Sequence, residues 1–236
     1  MLVEIWSDVM CPFCYLGKKN FEKALSQVSF CEEVKVMWRS FQLDPRLPRE
    51  GLQVTTAEYL AQSKGWPQHQ IEKMISQIQQ AGLKAGIDFR QDISIPANTF
   101  DAQRFVHFAQ ANGKGSAMEE ALFEAHFTHG KNIGNWEILT NIADQLGLDS
   151  NQAMSILESE AYIDEVKKDL SEARQLGVQG VPYFILNRKY AVTGAQPVEI
   201  FRQALEQTFS ETQNIPQFAK SQDADSCSET GCKTGF

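Results

Sequence analysis

The sequence predicts an α/β fold. A strand–helix–strand unit opens the chain, a strand–strand–helix unit closes it, and a long helical stretch lies between them. Three observations carry that expectation. Short runs rich in β-branched and aromatic residues sit near the two ends of the 236-residue chain and read as strands. Apolar residues at helical spacing dominate from about residue 55 to residue 176. Finally, Cys11-Pro12-Phe13-Cys14 stands where the first strand gives way to the first helix.

Leu2-Val3-Glu4-Ile5-Trp6 is the first strand. Cys14, Gly17, Phe21, Leu25 and Val28 then recur at helical spacing and form one inward stripe. Pro12 fits the first helical turn, where a missing N–H and a fixed φ cost nothing. Val34 to Leu43 alternates polar and apolar residues and stops at Asp44-Pro45, a second strand. A strand–helix–strand unit of this length implies a parallel pair with a right-handed crossover. Residues 45–53, with two prolines and a glycine, read as a linker.

Six or seven helices are expected between Thr55 and Leu176. Thr56 and Thr99 are candidate N-caps, and Ile71, Met74, Ile75 and Ile78 make the clearest stripe. Pro182 to Leu186 leads through the turn pair Asn187-Arg188 into Lys189 to Thr193, an antiparallel hairpin. Pro197 to about Phe209 is a closing helix. From Ser210 the chain is small and polar, which reads as loop or disorder.

The position of the two cysteines sets the chemistry. Unpaired N–H groups and aligned peptide dipoles at a helix start favour negative charge. Cys11, at the mouth of the helix, is therefore expected to be the thiolate-forming nucleophile. Cys14, one turn inside, is the shielded thiol that resolves a mixed disulfide. A zinc half-site would need two more ligands, and no nearby Cys or His offers them at a suitable spacing. Cys31, beside Phe30, reads as a packed or idle thiol. The four histidines, His69, His107, His126 and His129, all fall in the helical stretch. His126 and His129 stand three apart but lack a third ligand, so no metal site is expected.

Composition excludes several partners. The formal net charge is −8 with no block of like charges, which argues against nucleic acid or an anionic membrane. No apolar run approaches the roughly 18 residues of a membrane span. Met1-Leu2-Val3-Glu4 enters a strand without a basic region or cleavage site, so the expected localisation is cytoplasmic. Five cysteines, an odd number, do not suggest a disulfide scaffold.

The order of these units, with a CxxC at the first helix start, resembles a thioredoxin fold: a mixed four-stranded sheet with a large all-helical insertion. Residues 1–50 and 177–209 would form the thioredoxin-like part, 51–176 the insertion, and 210–236 a tail carrying Cys227 and Cys232. Further stretches narrow the resemblance to the DsbA-like thioredoxin superfamily and its cytoplasmic FrnE-like branch. They are Trp38-Arg39-Ser40-Phe41-Gln42-Leu43, Asn98-Thr99 with Ala102 and Arg104, Gly180-Val181-Pro182-Tyr183-Phe184, and Gly194-Ala195-Gln196.

The resemblance implies a thiol–disulfide oxidoreductase in which Cys11 and Cys14 are catalytic. It places a cis Val181-Pro182 bond against them, with Pro182 part of the site. The Val181 backbone would pair with an extended substrate segment. Phe13 stands where DsbA carries histidine, which implies a less oxidising dithiol and an apolar contact for substrate. Asn98-Thr99 is similar to a motif of kappa-class glutathione transferases and 2-hydroxychromene-2-carboxylate isomerases. Those relatives bind glutathione at this face and have serine where Cys11 stands, so Asn98 is a candidate substrate-binding residue. The structural alternative has Asn98 shaping a turn and Thr99 capping a helix.

Cys227 and Cys232, at a spacing also found in FrnE-like proteins, are a candidate second redox pair. Protein thiols and disulfides or glutathione are the expected partners, with no cofactor beyond glutathione as reductant or co-substrate and no metal, in a monomer or homodimer. Two rival readings remain: a glutathione-dependent isomerase or transferase, and a redox-switched chaperone-like binding module.

Overall fold

The structure, a computed structural model, describes residues 1–213. Cys227 and Cys232 lie outside the described residues. Strand β1 (Leu2–Ser7) is central and buried on both faces, with Val3, Ile5 and Trp6 inaccessible to solvent. Its near-continuous apolar run follows from that burial. Strand β2 (Lys35–Ser40) pairs parallel to it, with Leu2 opposite Lys35 and Ser7 opposite Ser40. The connection runs through helix α1 (Pro12–Leu25) and a single 3₁₀ turn, Cys31–Glu33. On the other side of β1, β3 (Tyr183–Leu186) runs antiparallel, and β4 (Tyr190–Thr193) is antiparallel to β3. The sheet order is β2-β1-β3-β4.

Seven helices stand between β2 and β3: α2 (Thr56–Lys64), α3 (Gln68–Ala85), α4 (Phe100–Ala111), α5 (Gly115–Phe127), α6 (Trp136–Gln145), α7 (Ser150–Glu158) and α8 (Ile163–Gln175). Helix α9 (Val198–Gln213) follows the hairpin. The fold is thus the thioredoxin arrangement with a helical insertion.

Sheet and insertion share one continuous apolar core, and α1 lies at the seam. On its sheet side, Phe21 meets Phe184 and Phe201 with ring centroids 5.6 and 5.8 Å apart. On its insertion side, Tyr15 stacks on Phe123 at 4.9 Å and meets the edge of Phe89 at 5.9 Å. Packing from both sides buries Cys14, Tyr15, Leu16, Gly17 and Lys18 in succession, more than a single stripe.

Where elements end is decided by side chains distant in sequence. Edge strand β2 stops at Ser40, three residues before the alternation ends at Leu43. The Leu43 N–H is taken by the Asp8 carboxylate at 2.6 Å, which turns the chain away from the ladder. The open edge of β2 is covered by α4: Gln110 accepts the Trp38 N–H at 2.8 Å, occupying a group that would otherwise template another strand. Thr55, one residue before the expected cap, starts α2 with a full capping box to Glu58. In the hairpin, Asn187 and Arg188 both take positive φ (48° and 56°), the conformation of a tight turn that matches strand twist.

Candidate active site

Cys11 is the N-cap of α1 and Pro12 its first residue. The turn before it is closed by the Cys11 N–H donating to the Asp8 carbonyl at 2.8 Å, and the Cys11 carbonyl accepts from the Cys14 N–H at 3.0 Å. Both cysteines are free thiols, Cys11 4 % and Cys14 1 % exposed.

The Val181-Pro182 bond is cis, and the Cys11 thiol donates to the Val181 carbonyl at 3.6 Å. The structure therefore brings Cys11, Cys14, Val181 and Pro182 together across 170 residues of sequence. The close approach depends on Gly17: a Cβ there would lie 2.8 Å from Pro182 Cγ and 3.4 Å from Phe184 Cζ. Gly17→Ala should gain roughly 0.8–1.0 kcal/mol of helix propensity and lose about 1–3 kcal/mol to overpacking against a rigid ring. The net expectation is a Tm lowered by a few degrees, together with a several-fold loss of disulfide exchange as Pro182 is pushed from Cys11. Thermal denaturation and turnover of the same sample check it; unchanged turnover would mean that the contact does not matter.

Behind the dithiol, Asp8 is fully buried and accepts N–H groups from Leu43 and from Met10 (3.2 Å). Burial pushes its carboxyl up to about 6, against the lowering effect of those bonds and of the Thr99 hydroxyl. The Cys14 thiol is pushed well above its ordinary range, first by burial and then by its hydrogen bond with Cys11. The Asp8 N–H and the Asp8 charge also act on Cys14, in opposite directions. Sequence reading passed over Asp8, although its place three residues before Cys11 marked it.

In front of the dithiol lies an apolar cavity of about 250 Å³. Cys11, Phe13 and Val181 form one wall, and Tyr59, Leu60, Met74 and Ile78 of α2 and α3 form the roof. Gln91 and His126 line it too, 3 % and 2 % exposed. Phe13, Leu43 and Trp66 stand at its rim, each 42 % exposed.

The geometry thus combines a strand-to-helix dithiol, a facing cis proline and a helical insertion roofing the cleft. The model of the DSBA-like thioredoxin domain matches residues 2–206. The chain belongs to the DsbA-like thioredoxin family. A probable DsbA oxidoreductase from Streptomyces coelicolor is 36 % identical, with a TM-score of 0.85 over 100 % of both chains. YwbO of Bacillus subtilis is 28 % identical over 207 residues, 86 % of this chain and 94 % of that protein. The cytosolic disulfide reductase DsbM from Pseudomonas aeruginosa, also solved with GSH, shares the fold at 18 % identity and a TM-score of 0.65, covering 89 % of this chain and 100 % of that one.

Within this DsbA-like site, Asn98 does not line the cavity beside Cys11. Its amide is engaged inside the protein: it donates to the Pro45 and Leu47 carbonyls at 3.0 Å each and accepts from the Phe100 N–H at 2.9 Å. Asn98 thus pins the 45–47 loop to the start of α4. Thr99 occupies the N-cap position of α4 without a side-chain bond to the helix. Arg104 ties α4 to the Ser159 and Ala161 carbonyls at 2.6 and 2.8 Å.

His107 pairs with Asp169 and Ser40, each at 3.1 Å, between α4, α8 and β2. His129 is exposed beyond the end of α5, while His126 is buried within it. Among the described residues no helix is long and apolar enough to cross a membrane.

Proposed function

We propose that this chain is a cytoplasmic thiol–disulfide oxidoreductase that exchanges disulfides through Cys11 and Cys14, with Cys11 as attacking thiol. The observation that carries the reading is the pair's placement at the mouth of α1, with the Cys11 thiol 3.6 Å from the Val181 carbonyl.

In the reducing direction, Cys11 as thiolate attacks a substrate disulfide R–S–S–R′, forming Cys11–S–S–R and expelling R′ as its thiolate. Cys14 then attacks the Cys11 sulfur, closing the Cys11–Cys14 disulfide and releasing the second thiolate. Because burial holds the Cys14 proton tightly, resolution requires that proton to leave. Asp8, pushed up only to about 6, is ionised at neutral pH and, near enough for its charge to act on Cys14, would take that proton. The opposite direction runs the same steps backward.

The Val181 main chain lies outside the β3–β4 ladder, which begins at Tyr183, and would pair with an extended substrate. The exposed Phe13, Leu43 and Trp66 would give it apolar contact. Glutathione is a candidate reductant; the fold likeness to DsbM solved with GSH supports it. Cytosolic placement is likewise supported by the likeness to a cytosolic disulfide reductase.

Equilibration in graded ratios of reduced and oxidised dithiothreitol, read by mass spectrometry after alkylation, tests the reading. Cys11 and Cys14 should be gained and lost by alkylation together, as one two-electron couple. Independent behaviour of the two thiols would overturn it.

A further inference from the structure

We propose that the cavity beside Cys11 takes a low-molecular-weight disulfide, one half of which is an apolar body of about one aromatic ring bearing a neutral group that both donates and accepts hydrogen bonds. This rests on the dithiol reading above and names the substrate class for that site.

Four features point there. The cavity opens on Cys11 itself, so whatever fills it is presented to the nucleophile. Its volume of about 250 Å³ exceeds the roughly 150 Å³ of an apolar cavity that binds benzene, leaving room for a substituted ring. Its walls are almost wholly apolar, with no Asp, Glu or Arg among them and a single Lys64, exposed, at the mouth. Glutathione, with two carboxylates and an ammonium, does not suit such walls as an occupant, so its candidacy as reductant does not extend to filling this cavity.

The fourth feature is the most specific. Gln91 lines the cavity 3 % exposed, and neither its amide nitrogen nor its amide oxygen has a hydrogen-bond partner among the described residues. His126 lines the same space with its Nδ1 likewise unpartnered. Buried amides and imidazoles without partners are costly and rarely left so. A carboxamide on the bound ring carries the matching groups: an N–H₂ to donate to the Gln91 oxygen or His126 Nδ1, and a carbonyl to accept from the Gln91 nitrogen. Burial pushes His126 down to about 4, so at neutral pH its ring is uncharged and suits a neutral partner. The reaction is the exchange already written. Cys11 forms a mixed disulfide with the ring-bearing half, Cys14 displaces it as a thiolate, and an external dithiol returns the oxidised pair to the reduced state.

The test compares bis(4-carbamoylphenyl) disulfide, bis(2-hydroxyethyl) disulfide and insulin as substrates of the full chain, with dithiothreitol as reductant and the uncatalysed rate subtracted. The readout is the selectivity ratio, aryl over hydroxyethyl kcat/KM, relative to wild type, which cancels the intrinsic reactivity of the aryl disulfide. Met74→Trp, filling the roof, should lower the ratio at least tenfold. Gln91→Leu should lower it about five- to tenfold while raising Tm, because it deletes two unpartnered polar atoms; a merely structural glutamine would lower Tm instead. Gln91→Leu shortens the side chain by one atom and adds no bulk, so the test survives if Met74→Trp misfolds.

A ratio within threefold of wild type in a folded variant overturns the proposal while leaving the dithiol reading intact. So does an equal loss on insulin, which would assign the cavity to a side chain of a protein substrate. Wild-type chain inactive on all three disulfides would overturn the dithiol reading itself, and this proposal with it.

Discussion

Cys11→Ser is expected to abolish disulfide exchange, by roughly 10³-fold or more, as removal of a sole nucleophile does. Cys14→Ser should instead accumulate a mixed disulfide, since the attacking thiol remains and nothing resolves the adduct. The difference follows from placement. Cys11 ends the loop at the mouth of α1, beside the cavity and against the Val181 carbonyl. Cys14 is one turn inward, 1 % exposed, and holds its proton through burial.

Intact-mass spectrometry after a single addition of substrate separates the outcomes. Cys14→Ser should gain the mass of one substrate half, lost again with dithiothreitol, and Cys11→Ser should gain none. If the two variants exchanged behaviours, the assignment of roles would be wrong. The same Cys11→Ser protein tests the isomerase alternative, because the relatives that use bound glutathione carry serine at that position. Tight glutathione binding and isomerisation by the serine variant would favour that chemistry over exchange.

The strand-to-helix junction and its two thiols were legible in the sequence. The period-two runs and the Cys11-Pro12-Phe13-Cys14 junction carry local information: a strand, a helix mouth and two thiols one turn apart. The Asn187-Arg188 turn is equally local, because two central residues at positive φ are what a tight hairpin needs. The cavity was not legible. Its roof comes from residues 59–78 and its polar groups from Gln91 and His126, so it exists only once α2, α3 and α5 have folded over α1.

Ile78 read as one member of a helical stripe, and it is; nothing local says that the stripe also faces a nucleophile 67 positions earlier. Asn98 illustrates the converse. A motif residue near a functional face can also hold a loop, and the Asn98 bonds to Pro45, Leu47 and Phe100 do so. The early end of β2 has the same origin, a single carboxylate at Asp8 competing for the Leu43 N–H.

Acidification from pH 8 to pH 6.5 should stabilise the protein, and Glu119→Gln should remove most of that effect. Glu119 projects from α5 into the region where α1 and the end of β1 meet, and it is fully buried. Its neighbours leave its charge poorly compensated. Ser7 donates to it across 3.4 Å, and one carboxylate oxygen has no partner among the described residues. The Asp8 and Glu120 carboxylates face it as like charges. Lys18, whose charge is the chief effect opposing burial at Glu119, directs its ammonium to Glu120 and Glu22 at 2.5 and 2.7 Å.

Burial therefore dominates and pushes Glu119 up to about 8, whereas in the unfolded chain it titrates near 4.3. Between those values the native state holds a proton that the unfolded state has lost. By linkage, stability is highest below the unfolded pKa and falls as pH rises toward 8. Asp8, pushed up to about 6, acts in the same sense at lower pH. His126, pushed down to about 4, acts oppositely below about 6.5, because there the unfolded chain binds the extra proton. Across the window from 6.5 to 8 Glu119 is therefore the largest contributor, with only the edges of the His126 and Cys14 effects inside it.

The slope is about 1.4 kcal/mol per pH unit well below the folded pKa and half that at pH 8, so the gain on acidification is about 1.6 kcal/mol, or roughly 3–6 °C in Tm for a chain of this size. Thermal melts at half-unit steps of pH, on wild type and Glu119→Gln, measure it directly. A wild-type Tm that is flat or rises with pH across that window, or an unchanged slope in the glutamine variant, would show that the Glu119 proton is not held by the fold.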